Sequence, residues 1–413
     1  MTEHGRRQFG ARVAELRRRR GLTQTELAAV IGRTASWVSQ VERGIQPVNR
    51  LDVLRLLADG LGVALNMLQP EAPDVSGPEA AAAAEGENDL DQARLTISGH
   101  PALDVLLSPH EGARDDLLDE LRGEVDRVWS LTHAGRFAQL SEALGTLVSR
   151  LERVSRTASG EDRSMAHRLL ARTYQALAAA FVRQNEADAA WVAADRALRA
   201  AESAGDTLGV FVGVFRLVHA FVRLHHLDQA EHAAATAINT LAPHAGSESV
   251  PTEELSVLGS LHLALALVHA RAGKRTAARE QIARARAVAA RIGEERNDFN
   301  LEFGPVNVEI QAVSTAVDLG DAGEALDIAA TVDASGLSVE RQARMLMDVG
   351  RAHAQRRQCG DALASLLKAE EIAPEIIRNH MAAREVIREL VLMAGRGASP
   401  ELRGLAERAD AVA

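Results

Sequence analysis

From residue 134 onward the chain six times interrupts a long Ala- and Leu-rich stretch with a short turn of small or polar residues, then resumes another. The turns are AGRFAQL from Ala134, QNEADAAW from Gln184, HHLDQAEHA from His225, AGKRTAARE from Ala272, LGDAGEALD from Leu319 and QCGDALAS from Gln358. Each carries alanine shortly after the break, where two helices must approach closely, and successive breaks lie roughly 40 to 50 residues apart. A period of that size marks helical hairpins that cannot bury their apolar faces alone and must stack. Aromatic residues make up only 3% of the 413-residue chain although 46% of it is hydrophobic, which suits an all-α fold packed through Ala and Leu. The expectation is five or six hairpins over residues 115–413, stacked into a right-handed α-solenoid with a concave groove.

The N-terminal segment is built differently. Phe9, Val13 and Leu16 fall at i, i+4 and i+7, giving a helix that buries one stripe and ends in the basic run Arg17 to Arg20 before Gly21. Thr23 and Glu26 have the spacing of a capping box, Leu27 and Ile31 form an inner face, and Ala28 is small enough for a close crossing. Gly32 supplies a sharp turn. Thr34 caps the next helix, whose Val38 and Val41 point inward while Ser36, Gln40 and Arg43, with Ser39 beside them, form a polar outer face. Two short helices on a tight turn, the second presenting such a face, have the geometry for entering the DNA major groove. Charge agrees: residues 1–68 hold 11 arginines against 6 acidic residues, while the whole chain is at −10.

Between these regions, residues 69–92 contain three prolines, an Ala run, seven acids and no base, the composition of an acidic flexible linker. Met1 to Gly21 is polar and Arg-rich with no apolar leader, and the best apolar runs are broken by Arg216, His219, His262 and His269, so a cytoplasmic protein without a membrane partner is expected. The single Cys359 provides neither a disulfide nor a Cys-rich metal framework. His225, His226 and His232 lie in a turn signature, with no acidic or Cys partner at ligand spacing apart from Asp228, and read as surface histidines. No phosphate-binding loop, nucleophile elbow, metalloprotease helix or dinucleotide fingerprint occurs, so neither an enzyme nor a cofactor or metal is expected.

Leu22 to Leu68 closely resembles the Cro/C1-type (XRE) helix-turn-helix family through LTQTELA, the Gly32 turn, VSQVERG and the closing LDVLRLLADGLGVALNML. The resemblance covers residues 10–68 and implies a five-helix DNA-binding domain. It further implies that Gln24 contacts phosphate, that Ala35, Ser36 and Gln40 meet base edges with Ser39 beside them, and that Arg17 and Glu42 form an architectural ion pair. Ala35 offers at most a methyl contact, whereas Gln40 can pair with adenine through two hydrogen bonds. Arg18, Arg19, Arg20, Arg33, Arg43 and Asn49 surround the recognition helix as candidates for the DNA backbone, and Trp37 sits on its flank, in position for packing or a sugar contact. One such module reads a short half-site, so a homodimer on a pseudo-palindromic double-stranded operator is expected.

The repeat region is similar to tetratricopeptide repeats, with a longer period. GSLHLALA from Gly259, FGPVN from Phe303, AEEIAPE from Ala369 and HMAAREVIREL from His380 resemble the C-terminal halves of actinomycete XRE regulators with tetratricopeptide-like repeats. That resemblance covers most of residues 166–413 and implies a region that dimerises or receives a signal. Gly304 and Pro305 should open a helix near Val306 and leave Asn307 near the groove. Arg216, His219, His262, Asn307 and Gln311 are the candidate groove residues for a peptide, small-molecule or protein effector. The function expected is that of a sequence-specific transcriptional regulator, the alternative being a protein-interaction scaffold tethered to DNA by its helix-turn-helix module.

Overall fold

A computed structural model describes residues 3–20, 22–31, 35–45, 57, 60–61, 90–100, 117–246 and 249–411. They belong to two compact units, residues 1–85 and 86–413. In the first, α1 (Glu3–Arg19), α2 (Gln24–Val30) and α3 (Ala35–Glu42) enclose a core of Phe9, Val13, Leu16, Leu27, Ala28, Ile31, Val38 and Val41, joined by Leu57 and Leu61. The tightest crossing lies at Gly10, where any Cβ would collide with the Val41 and Glu42 carbonyls at the end of α3. Gly44 then ends α3 in the left-handed region at φ 71°, its amide donating to the Val41 carbonyl and that of Ile45 to the Gln40 carbonyl. Both bonds satisfy carbonyls that the helix end would otherwise leave open.

Among its described residues the regular elements of the second unit are helices, joined by turns and loops, with an isolated bridge between Arg296 and Phe303. Its first half comprises α4 (Asp91–Ser98), α5 (Leu117–Ala134), α6 (Phe137–Thr157), α7 (Gly160–Arg183), α8 (Ala187–Ala204), α9 (Thr207–Arg223) and α10 (Leu227–Leu241). There follow α11 (Thr252–Arg271), α12 (Arg275–Ile292), α13 (Pro305–Asp318), α14 (Ala322–Ala329), α15 (Val339–Gln355) and α16 (Cys359–Ile372). The short α17 (Pro374–Asn379), α18 (Met381–Ala394) and α19 (Pro400–Arg408) close the unit.

All six turn signatures join two helices, and all six use one backbone device. The residue two places before the new helix is left-handed: Gly135, Asn185, His225, Gly273, Gly320 and Arg357, with φ between 60° and 79°. Its amide reaches back three residues and the next amide five, as in Gly135 to Thr132 and Arg136 to Leu131, or Arg357 to Ala354 and Gln358 to His353. This double closure reverses the chain within a few residues and stacks each helix on its predecessor. Three of the six positions are not glycine, and a left-handed L-residue is strained by roughly 1 to 2 kcal/mol. Replacing the exposed Arg357 by glycine is therefore expected to stabilise the unit by about 1 kcal/mol after the entropy of the unfolded glycine is counted. Thermal denaturation checks this: a lowered midpoint would show that the residue gains nothing from leaving that conformation.

The helices form two rows. In one, α5, α7, α9, α11, α13, α15 and α18 each pack on the next; in the other, α6, α8, α10, α12, α14 and α16 back them. The core lies between the rows. On α8 its face is almost wholly alanine, with Ala189, Ala190, Ala193, Ala194, Ala197 and Ala201 buried, so that α7 and α9 close on it from either side.

One boundary differs from the sequence reading. Asp91 and Gln92 are not linker but the start of α4, because Leu90, Ala93 and Ile97 form a buried stripe in the same core as α5 to α8. Arg94 adds an anchor through Glu186, 2.6 Å away, and through Asp188. Helical structure of the second unit thus begins before residue 115. Helix α13 begins at Pro305, in line with the start expected near Val306, since proline is accommodated where a helix's first amide has no partner. Residues 69–89 of the linker lie outside the described residues.

Candidate functional site

In the first unit, Arg17 at the end of α1 is the hub. Its guanidinium donates to Glu42 Oε1 at 2.6 Å and Oε2 at 3.1 Å, and to the Leu22 carbonyl at 2.6 Å, tying together α1, the entry to α2 and the end of α3. Burial would raise the Glu42 carboxyl, yet hydrogen bonds from Arg17 and Gln24 and the charges of Arg17 and Arg18 hold it below the usual range. Gln24 Nε2 donates to Glu42 Oε2 at 2.7 Å, which leaves one amide hydrogen for a further partner such as a phosphate. Trp37, half-buried on the flank of α3, packs against the core cluster.

The face of α3 turned from that core carries Ser39 and Gln40, both half-buried, and the exposed Arg43, whose Nε rests on the Ser39 carbonyl at 3.2 Å. Arg18, Arg19 and Arg20 are exposed at the end of α1, with Arg19 on Glu15 and Arg20 on the Gly60 carbonyl. Arg33 and Asn49, together with the Gly32 turn, the Thr34 cap and the side chains of Glu26, Ala35 and Ser36, lie outside the described residues.

In the second unit the inner row encloses a cavity of about 380 Å³. The side chains facing it follow helical spacing: Asn307, Gln311, Ser314 and Asp318 on α13, and Ser260, Leu263, Leu267 and Arg271 on α11. Arg216, His219, Asn307 and Gln311 all line it. His262 does not. It lies on the opposite side of α11, where its Nδ1 is 2.7 Å from Gln281 Oε1 of α12, because it is out of step with the lining residues.

The cavity is rich in arginine, and most of its arginines are spoken for. Arg183 pairs with Glu340 at 2.7 Å, Arg341 with Glu302 at 2.8 Å, Arg271 with Asp318 at 2.9 Å, and Arg351 with both Asp318 and Asp348 at 2.7 Å. Arg216 donates to the Asn300 carbonyl at 3.0 Å and lies over the Trp129 and Phe215 rings. Burial, then the like charges of Arg183 and Arg341, push it down to about 9. His219 is pushed down to about 3 by burial and by Arg216, and His380 well below its usual range by burial and Arg344, so both are neutral at pH 7.

The loop before α13 supplies one edge of the cavity. Phe299, Asn300 and Glu302 are all left-handed there, at φ 54°, 55° and 49°, and the Asn300 and Leu301 carbonyls accept from Arg216 and Arg341. Such strained positions persist only where surrounding contacts over-determine them. Gly304 is extended, and a Cβ on it would meet the Glu295 carboxylate, which accepts the Val306 amide at 2.6 Å and so caps α13 from a distance. These contacts escaped the sequence reading; the GPVN motif was their only signal.

Among the described residues no group of three or more His, Cys, Asp or Glu side chains is placed to hold a metal ion, and no helix is long and apolar enough to cross a membrane. Residues 8–69 match the model of a family described as a helix-turn-helix domain. Among solved structures, the crystal structure of Bacillus thuringiensis PlcR in complex with the peptide PapR7 and DNA is similar over 85% of this chain and 98% of that chain, with 13% identity and a TM-score of 0.36. No curated protein matches the chain.

Proposed function

We propose that the chain is a sequence-specific, dimeric DNA-binding transcriptional regulator of the XRE type, working in the cytoplasm without cofactor or catalysis. Its helical repeat unit pairs two copies, receives a signal in the arginine-lined cavity, or does both. The observation that carries the reading is the polar outer face of α3, held on a helix that the Arg17, Glu42 and Gln24 network clamps to α1, within a segment matching a helix-turn-helix domain. On this reading Ser36, Ser39 and Gln40 meet base edges, Ala35 offers a methyl contact, and Arg18, Arg19, Arg20, Arg33, Arg43 and Asn49 hold phosphates.

One short helix reads only a few base pairs, so a useful site requires two copies on a pseudo-palindrome. A signal in the repeat unit acts by favouring one spacing of the two reading heads, which demands unequal affinity for the two arrangements. The test is operator selection from random duplexes with the full chain, followed by the same selection with Gln40→Ala. The substitution is expected to cost about 1 to 3 kcal/mol on the selected site and to relax preference at one base position per half-site. Equal weakening on every sequence would remove Gln40 from base reading, and no selected site at all would overturn the DNA-binding function.

A further inference from the structure

We infer that the cavity of the second unit takes a ligand bearing an oxyanion, seated between Arg223 of α9 and Arg344 of α15. This deepens the signal-receiving reading and rests on it. Both side chains line the cavity and are half-buried, and neither has a hydrogen bond or ion pair among the described residues. Their neighbours differ: Arg183, Arg271, Arg341 and Arg351 each hold a carboxylate, and Arg216 a backbone carbonyl. The acids within the cavity are already engaged by those arginines: Asp318, Glu340 and Asp348 each pair with one or two of them, and toward Arg344 Asp348 and Glu340 act only through their charge. Glu385 at the rim is exposed and influences Arg223 only through its charge.

Two unpaired cations in one concave site repel each other and are poorly hydrated. Burial, and then the charge of Arg344, push Arg223 down to about 10, while burial and Arg341 lower Arg344 against the opposing charges of Asp348 and Glu340. A bound oxyanion removes both costs, and the planar guanidinium fork suits the paired oxygens of a carboxylate or the face of a phosphate. Val222, Leu263, Leu267 and Met347 line the same space, so an apolar body joined to the charge fits better than a bare inorganic ion. The cavity volume suits a molecule of a few linked residues. A carboxylate on a small amphipathic molecule, such as the free end of a short peptide, meets both demands; a phosphate meets the first.

The experiment uses the full chain without DNA. Melting is followed against a pool of random tripeptides with free C-terminal carboxylates, the same pool amidated, inorganic phosphate, and chloride at matched ionic strength. The free-acid pool is expected to raise the midpoint saturably and the amidated pool to do so less. A saturable rise with phosphate alone also supports the site and assigns the oxyanion to phosphate. Arg223→Gln/Arg344→Gln is expected to lose about tenfold or more in apparent affinity for the effective probe, the worth of a charged hydrogen bond. Unliganded, the double variant should melt no lower than the parent, because no hydrogen bond or ion pair among the described residues is lost and the mutual repulsion of the two arginines is relieved.

The inference is overturned if no probe exceeds the chloride control, if the double variant responds like the parent, or if it melts well below the parent when unliganded. Operator affinity measured with and without the effective probe separates this inference from the reading beneath it. Oxyanion binding through these two arginines without any change in operator affinity keeps the ligand class and removes the signalling role.

Discussion

Arg17→Ala is expected to destabilise the first unit by about 3 to 5 kcal/mol, opening it while the repeat unit stays folded. The side chains of Arg17 and Glu42 are only 11% and 7% exposed, so removing the cation strands a carboxylate in a place water scarcely reaches. A unit this small is stable by only about 5 kcal/mol, and the loss is comparable to the whole. The pH dependence gives the sign. In the parent, Glu42 is held below its free value, so its contribution is present above that value and is lost as pH falls through the folded one. In the variant, burial acts against only the Gln24 hydrogen bond and the more distant charge of Arg18, the carboxyl rises, and the penalty should shrink on acidification. Hydrogen exchange of the amides of residues 9–42 in the full chain reads both effects. Arg17→Met with Glu42→Leu should recover most of the loss, because a buried pair replaced by packed apolar groups costs little; failure to recover would mean that the contact from Arg17 to the Leu22 carbonyl carries the stability instead.

The helical architecture was legible because turns are written locally. Six breaks in Ala-rich sequence were enough to place six helix pairs, and even Asn185, His225 and Arg357, which lack glycine's freedom, sit at the left-handed position their neighbours dictate. In the first unit, Val38 and Val41 pointed inward at helical spacing, and the Arg17 and Glu42 pair was named through family resemblance. What stayed hidden is what depends on two distant segments meeting. His262 shared a helix with true lining residues, and only the phase of α11 against α12 turned it away. Gln24 offered an amide that could have served phosphate, and the nearness of Glu42 took part of it. The pairing of the cavity's arginines spans separations such as that of Arg183 from Glu340, which no spacing rule reaches.

The same limit hid the contact with the largest expected effect in the second unit. Phe303 is fully buried, and its ring lies against the backbone of α11 at Gly259, where even a methyl group would overlap it. In sequence these were two unrelated motifs, GSLHL and FGPVN; in the fold one is the socket for the other. Phe303→Ala is expected to cost about 3 to 5 kcal/mol, the price of a large buried cavity. Gly259→Ala should cost about 1 to 3 kcal/mol through overpacking, because the ring has no open space to enter. The two should not add. Gly259→Ala with Phe303→Leu is expected to be more stable than the summed losses of Gly259→Ala and Phe303→Leu alone by about 1 kcal/mol, since the smaller side chain admits the methyl. Chemical denaturation of the four proteins gives this coupling, and strict additivity would mean the ring and the glycine do not meet. The consequence reaches the cavity. Phe303 precedes Gly304 and the Glu295 cap of α13, so loosening the ring frees the start of the helix that carries Asn307 and Gln311. Oxyanion affinity should therefore fall in Phe303→Ala even where the unit remains folded, while Arg223 and Arg344 are untouched.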